Sequence, residues 1–460
     1  MLTDLRLAEK SNAYSGKRRE WIYPKLISGQ LYKYRSWASY VLLALLFAWP
    51  FIKINGQPYF LFNVLERKFI FFGVLFMPQD FYLFVLAMLT FIVFIILFTA
   101  IFGRIWCGWA CPQTIFMEMV FRKIEYWIEG SASDQKKLDA SPLTMNKLWK
   151  KTAKHVLFVF ISFFIANIFL AYIIGSDELL KIMTEPVNTH VYGFISIWIF
   201  TAVFYIVFTK IRELVCTVIC PYGRLQGVLI DRKTLVVAYD YLRGEPRSHI
   251  NKSDAPAGDC VDCGLCVQVC PTGIDIRQGT QMECINCTAC IDACDMVMEK
   301  VNRPLKLIGF KSEDQICEKK EFKFGKRVYA YAGILLILLI TLTSLILKRS
   351  DIQANVLRAS GTLYQLNGDS TVSNLYNAEL INKTSKDIRF VMKPADRAVK
   401  IKFINQSGVI SKGGTVKLTF FIIRPQNTIN TFKSAVTLDI VSDGKIITRA
   451  ETTFIAPPKQ

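Results

Sequence analysis

Histidine is nearly missing from this chain: three residues, His155, His190 and His249, in a sequence of 460. A membrane haem needs two axial side chains at one depth. His155 starts one apolar run and His190 starts the next at the opposite end, so they cannot pair across a bilayer, and His249 sits in a polar loop. Haem is not expected on that ground. Met183 with His190 makes at most a sparse soft-metal pair, which by itself indicates no site. Acidic residues are also scarce, 37 against 56 basic ones, for a formal charge of +19. No nucleic-acid motif accompanies that charge, so nucleic acid is not an expected partner. Cysteine is absent after Cys317, although the chain has thirteen. A cysteine-free end beside a cysteine-rich remainder puts the thiols on one side of a membrane, the reducing side. No small-residue cleavage site trails the first apolar run, so that run reads as a retained anchor.

Hydrophobic residues make up 52% of the chain, and the mean hydropathy is +0.30. Five runs approach the roughly 20 residues a spanning helix needs: 36–54, 81–103, 155–175, 191–209 and 328–347. Pro50 should end or kink the first. Phe69–Phe76 is apolar but too short to span and reads as interfacial. Basic residues fix the orientation. Segment 104–154 holds Arg104, Arg122, Lys123, Lys136, Lys137, Lys147, Lys150, Lys151 and Lys154, whereas 55–80 and 176–190 hold only Arg67, Lys68 and Lys181. The positive-inside rule puts the N-terminus, with Lys17-Arg18-Arg19, and residues 210–327 in the cytoplasm, and 348–460 outside. A bacterial inner-membrane, multi-pass protein is expected.

The densest chemistry lies between Cys260 and Cys294. Cys260, Cys263, Cys266 and Cys270, then Cys284, Cys287, Cys290 and Cys294, are two runs of C-x2-C-x2-C-x3-C. That spacing belongs to bacterial two-cluster ferredoxins, in which the fourth cysteine of each run serves the other cluster. One 4Fe–4S cluster is therefore assigned to Cys260, Cys263, Cys266 and Cys294, and the second to Cys284, Cys287, Cys290 and Cys270. Structural zinc prefers paired knuckles with a longer gap, and disulfides do not explain an internal repeat. Pro271 follows the first run, but Asp295 follows the second, so the two exits should differ.

Two further pairs, Cys107/Cys111 and Cys216/Cys220, each form C-x3-C-P just after a span. On a continuous helix, i and i+4 spacing would put both sulfurs on one face. One reading is a duplicated dithiol that binds metal or exchanges electrons. The other is inert, buried packing, which is common for cysteine. Arg104, Arg212 and Arg224 flank the pairs and are expected to lower their thiol pKa values. Cys317 fits neither set. After the last span, Thr415–Ile423, Ser434–Ile440 and Ile446–Phe454 alternate in hydrophobicity between turn signals such as Asn367-Gly368, Gly413-Gly414 and Asp443-Gly444. About seven short strands suggest an immunoglobulin-like sandwich.

The expected division is a basic segment 1–35, a four-span membrane domain 36–230, a ferredoxin-like domain 231–327, a fifth span 328–347 and the sandwich 348–460. The expected fold is thus a multi-domain membrane protein with an α-helical bundle of about five spans, a two-cluster ferredoxin-like insert and an all-β immunoglobulin-like end. In this order of motifs the chain resembles the FixG/CcoG family of cytochrome c oxidase accessory proteins. The related nitrate-reductase and nitrous-oxide-reductase membrane proteins share C-x3-C-P and ferredoxin motifs but lack the outer tail. The resemblance implies reduction of Cu(II) to Cu(I) for assembly of a cbb-type oxidase. The eight ferredoxin cysteines would be cluster ligands, Cys107, Cys111, Cys216 and Cys220 the reactive thiols, and copper the substrate. Oxidase subunits or copper chaperones would meet the periplasmic domain, and the electron donor is unnamed. Two other readings stay open: a quinol-oxidising conduit to a partner reductase, and a redox-sensing assembly scaffold. The spans carry little that is polar or ionisable beyond Asn167 and scattered Ser/Thr, which weighs against a quinone site inside them.

Overall fold

The computed structural model describes residues 21–54, 57–64, 68–71, 73–76, 80–248, 258–319, 321–361, 363–368, 370–384, 386–405, 408–429, 431–442 and 444–457. Lys17-Arg18-Arg19, Arg67, His249 and Asp443 lie outside them. The chain divides into two compact units. One comprises Met1–Ala48, Leu86–Leu170 and Asp177–Ile340; the other comprises Trp49–Val85, Ala171–Ser176 and Thr341–Gln460.

Among the described residues, four helices are long and apolar enough to cross a membrane: Phe81–Phe102, Met145–Ile174, Val191–Ile211 and Lys326–Leu347. Their Leu, Ile and Phe runs leave the backbone no partner in lipid except itself, so they close into helices. The first expected span is also a helix, Gln30–Ala48. It begins earlier than the apolar run and carries Lys33 and Arg35 in its first two turns, which shortens its apolar part. It stops where Pro50 enters a 3-10 turn, Trp49–Phe51. Two spans end on a left-handed residue, Gly103 at φ 57° and Arg212 at φ 53°. Each stands four positions before the first cysteine of a C-x3-C-P motif, so the two copies share a backbone break as well as a sequence.

In the same unit, Val236–Tyr239 pairs antiparallel with Ile308–Lys311. Helices Leu265–Gln268 and Ala289–Lys300 pack on this ribbon around Val237, Ile276, Ile291, Met298 and Leu307. So small a core needs metal to hold it. The membrane and ferredoxin segments, divided at residue 230 on sequence, fold together. Leu235 donates its N–H to the Ile101 carbonyl at 2.9 Å, and the Thr234 hydroxyl donates to the Ala100 carbonyl at 3.0 Å.

In the second unit Phe69–Phe76 falls largely in strands. Lys68–Phe71 and Val74–Phe76 are strands of a three-stranded antiparallel sheet with Phe60–Asn63. A phenylalanine-rich run shows no period when both faces are covered by aromatics, as with the Phe62–Phe71 edge contact at 4.8 Å. The C-terminal region is a sandwich. One sheet runs in the order Lys400–Asn405, Thr415–Pro425, Thr371–Asn382, Ile352–Arg358, with Gln365–Asn367 also on Thr371–Asn382. The other runs Val391–Pro394, Lys433–Ser442, Lys445–Ile455. Leu418, Phe420 and Ile422 alternate inward to meet Val436, Leu438 and Ile440. Each such side chain contributes about 1.5–3 kcal/mol on burial. Tyr376 is fully buried, and its hydroxyl reaches the Thr453 carbonyl at 2.9 Å, tying one sheet to the other.

Candidate functional site

The two cysteine runs fold as copies. In each, the residues flanking the second cysteine are left-handed: Asp262 and Gly264 around Cys263, Asn286 and Thr288 around Cys287. Asp and Asn tolerate that conformation, and it turns the loop so that three sulfurs converge. Each run then enters a helix. Pro271 stops the first, and a turn follows in which Gly273 donates to the Cys270 carbonyl at 3.2 Å. Asp295 lets the second continue to Lys300 and accepts from the Lys306 N–H at 2.7 Å. The exits differ for this reason.

Two cavities lie between the runs. One is walled by Cys260, Cys263, Cys266 and Cys294, the other by Cys270, Cys284, Cys287 and Cys290, with Cys266 on the shared border. The fourth cysteine of each run therefore crosses to the other run's cavity. Burial pushes the Cys284 thiol up to about 12, Cys287 to about 11 and Cys294 to about 12. Cys266 rises to about 11, and Cys290 is also raised well above its ordinary value. Buried thiols that repel one another as thiolates call for a polycationic core between them. Among the described residues, no group of three or more His, Cys, Asp or Glu is arranged for a single metal ion, and no disulfide forms. Two cavities each lined by four cysteines, with the fourth supplied by the other run, fit a pair of 4Fe–4S clusters.

The C-x3-C-P pairs are built differently from a continuous helix. Cys107 lies in a short helix, Ile105–Trp109, and Cys111 is extended (ψ 124°) at the start of the next, with Pro112 at its first position. Cys216 lies in a π turn, Val215–Ile219, and Cys220 is extended (ψ 111°) before Pro221. The i, i+4 face is broken at the second cysteine because the following proline ring disfavours the helical conformation of the residue before it. Fold, not helix periodicity, gathers the thiols. Cys107 and Cys216 share a cluster with Ile285 and Cys287, and Cys111 and Cys220 are near enough to raise the Cys107 thiol.

The expected lowering of the thiol pKa does not occur at Cys107 or Cys216. Burial pushes Cys107 up to about 11 and Cys216 up to about 12, with Arg104 opposing only in part. Arg224 is exposed, and Arg212 is turned to Glu125 and stacked on Trp21 at 4.7 Å. Arg104 is instead a clamp. It is 2% exposed and donates to the Met282 carbonyl and, at 3.3 Å, to the Cys216 carbonyl. It therefore joins both C-x3-C-P segments to the cluster loop.

Several partners were invisible in the sequence. Cys107 Sγ donates to Gln226 Oε1 at 3.0 Å, and Gln226 donates to Thr99 at 3.3 Å. Arg35 Nε donates to the Gly108 carbonyl at 2.8 Å. Asp292, between two cluster cysteines, accepts from the N–H groups of Leu31 (3.2 Å) and Tyr32 (2.7 Å) and so caps the first helix. None of these carries a sequence signal, because each joins segments a hundred or more residues apart or a lone polar residue to a backbone. Cys317 is exposed beside Tyr241 at 2.8 Å, away from either set. His190 meets Glu185 at 2.7 Å rather than Met183, and His155 meets Tyr205 at 2.9 Å.

Membrane helices with two four-cysteine cavities at their ends define an iron–sulfur electron-transfer protein of the membrane. A 4Fe–4S dicluster domain matches residues 211–313, a 4Fe–4S binding domain matches 84–130, and the IG-like fold at the C-terminal of FixG matches 342–457. Protein RdxA of Cereibacter sphaeroides is 33% identical over 80% of this chain and 81% of its own length. Nitrogen fixation protein FixG of Rhizobium meliloti is 32% identical over 80% and 77%, and Protein RdxB of C. sphaeroides 32% over 84% and 84%. The chain belongs to the FixG family.

Proposed function

We propose that this chain is a cupric reductase of the bacterial inner membrane that supplies Cu(I) for assembly of a cbb-type cytochrome c oxidase. The eight ferredoxin cysteines would hold two 4Fe–4S clusters, which when bound would supply one-electron storage and transfer. Cys107, Cys111, Cys216 and Cys220 receive Cu(II), which takes up one electron and leaves as Cu(I). Soft sulfur ligands favour Cu(I) over Cu(II), so the same thiols bind the product and pull the reaction forward. Burial keeps Cys107 and Cys216 protonated until a cation arrives, so metal entry must displace their protons.

The observation that carries this reading is the contact between the two cysteine sets: Cys107 packs on Ile285 and Cys287. A cluster held by Cys287 would therefore have a short route for its electron toward Cys107 and Cys216. The basic loops support a cytoplasmic position for both sets. By alternation of the spans, this holds whether or not Gln30–Ala48 crosses the bilayer. The sandwich would then lie in the periplasm, where an oxidase subunit or copper chaperone could meet it.

The test is cupric reduction by purified, reconstituted protein with a chemical reductant. Cys107→Ser/Cys111→Ser and Cys216→Ser/Cys220→Ser should each keep their cluster spectra, lose reduction and bind less Cu(I). A wild-type rate in either variant would show that its pair is packing only.

A further inference from the structure

A cavity of about 210 Å³ opens at the polar ends of two membrane spans, Met145–Ile174 and Val191–Ile211. Rings of Trp21, Tyr23 and Phe158 supply its apolar wall. Its charged wall is balanced. Lys154 pairs with Glu129 at 2.9 Å and Glu125 at 3.6 Å, and Lys151 pairs with Glu129 at 2.9 Å and Asp139 at 2.5 Å. With Lys210, three lysines face the three carboxylates Glu125, Glu129 and Asp139, so the wall has no net charge and suits a neutral ligand. Two polar groups remain for such a ligand. Thr209, 7% exposed, lines the cavity, and its hydroxyl has no hydrogen-bond partner among the described residues. His155 is held through Nδ1 by the Tyr205 hydroxyl at 2.9 Å, which leaves Nε2 for another group.

We propose that this cavity takes the headgroup of a membrane quinol or quinone. Such a headgroup is a flat, uncharged ring with an oxygen at each end, carried to the polar end of a span by an apolar tail. Aromatic walls suit the ring, and the Thr209 hydroxyl and His155 suit the oxygens. The ionisable cluster that the span sequences lack is assembled here from four separate segments at the span ends.

One helix links the site to the cluster loops. Glu125 on its wall pairs with Arg212. One turn earlier on the same helix, Arg122 donates to the Pro271 carbonyl at 3.1 Å, directly after Cys270. Oxidation of the bound quinol to quinone breaks two O–H bonds and releases two protons and two electrons. One proton would go to His155 Nε2 and the other to the Glu129 carboxylate, and the two 4Fe–4S clusters, when bound, would accept one electron each. This names the donor for the cupric-reductase reading and rests on that reading only for where the electrons end.

The test uses the full chain in phosphatidylcholine nanodiscs with a photoreactive azidoquinone, the labelled peptides being mapped by mass spectrometry. Label should fall on the segments around Tyr23, Phe158 and Thr209. It should be competed away by decylubiquinone and not by phosphatidylglycerol. Thr209→Val and His155→Gln should each weaken decylubiquinone binding about tenfold, Thr209→Ser should retain it, and all three should keep cluster absorbance. Decylubiquinol should bleach the clusters in the absence of copper, so failure of the copper reading leaves these readouts intact. Absent labelling, labelling elsewhere, or competition by phosphatidylglycerol alone would overturn the proposal.

Discussion

Gly108, inside the first C-x3-C-P motif, lies backbone to backbone against Cys287 of the second cluster loop. A side-chain carbon at Gly108 would stand 2.4 Å from the Ile285 carbonyl oxygen and 2.9 Å from the Cys287 α-carbon. Both obstacles are main chain and cannot swing aside.

Gly108→Ala must therefore push the motif off the cluster loop, at a cost of about 1–3 kcal/mol for overpacking. The clusters should still load, because none of their cysteines changes. The low-temperature EPR signal of the Cys284–Cys290 cluster should shift, and cupric reduction should slow. An unchanged spectrum together with an unchanged rate would mean that the contact is not on the electron path.

The crossed cavities make a second prediction. Cys270→Ala should damage the cluster held by Cys284, Cys287 and Cys290, although Cys270 belongs to the other run. Cys294→Ala should damage the cluster of Cys260, Cys263 and Cys266. In each, iron should fall from about eight to about four atoms per chain. Iron analysis and EPR of anaerobically purified protein decide it. Loss of the cluster in the cysteine's own run would reverse the assignment.

What was legible in the sequence is what is local. The cysteine spacing defines loops of a few residues, and the strands at Thr415–Pro425, Lys433–Ser442 and Lys445–Ile455 show their alternation because one face of each is buried. Gly103 and Arg212 could have been read as paired breaks, since each stands four residues before a motif cysteine. The rest was long-range. Arg104 resembles a pKa-lowering neighbour in the sequence, but its partners are carbonyls of Met282 and Cys216, more than a hundred residues away. The helical-face argument for the cysteine pairs failed at Pro112 and Pro221, whose effect on the preceding residue outweighs the spacing. The cavity walled by Trp21, Glu129, Lys154 and Thr209 has no signature at all, because no two of its walls come from one motif.

A third prediction concerns the second unit. Asp80, 3% exposed, bonds Arg349 at 2.7 Å and Lys383 at 2.5 Å, both largely buried. It joins the residue before the Phe81–Phe102 span to the sandwich and to the exit of the last span. Asp80→Ala leaves two buried cations without their shared anion, which costs about 3–5 kcal/mol. Limited proteolysis should cut the sandwich faster while the cluster absorbance stays the same. If the proteolysis rate does not change, the three charges are better solvated than their burial implies.

The last prediction separates a cap from a cavity. Asp292 accepts from the N–H groups of Leu31 and Tyr32, and those donors have no partner within their own helix. Asp292→Ala should therefore cost about 1–2 kcal/mol, as for other lost helix caps. Gly29 lies against the same carboxylate: a side-chain carbon there would stand 2.1 Å from Asp292 Cγ. Gly29→Ala alone should thus destabilise by pushing Asp292 out of its capping position. In the Asp292→Ala background the obstacle is gone, so Gly29→Ala should add little. The two costs are then strongly non-additive, as expected of residues in direct contact. Thermal unfolding of the four proteins, with cluster absorbance as the second probe, measures the coupling. Additive losses would mean that Gly29 and Asp292 act on the helix independently, and that the N-terminal helix is not fastened to the cluster domain through this carboxylate.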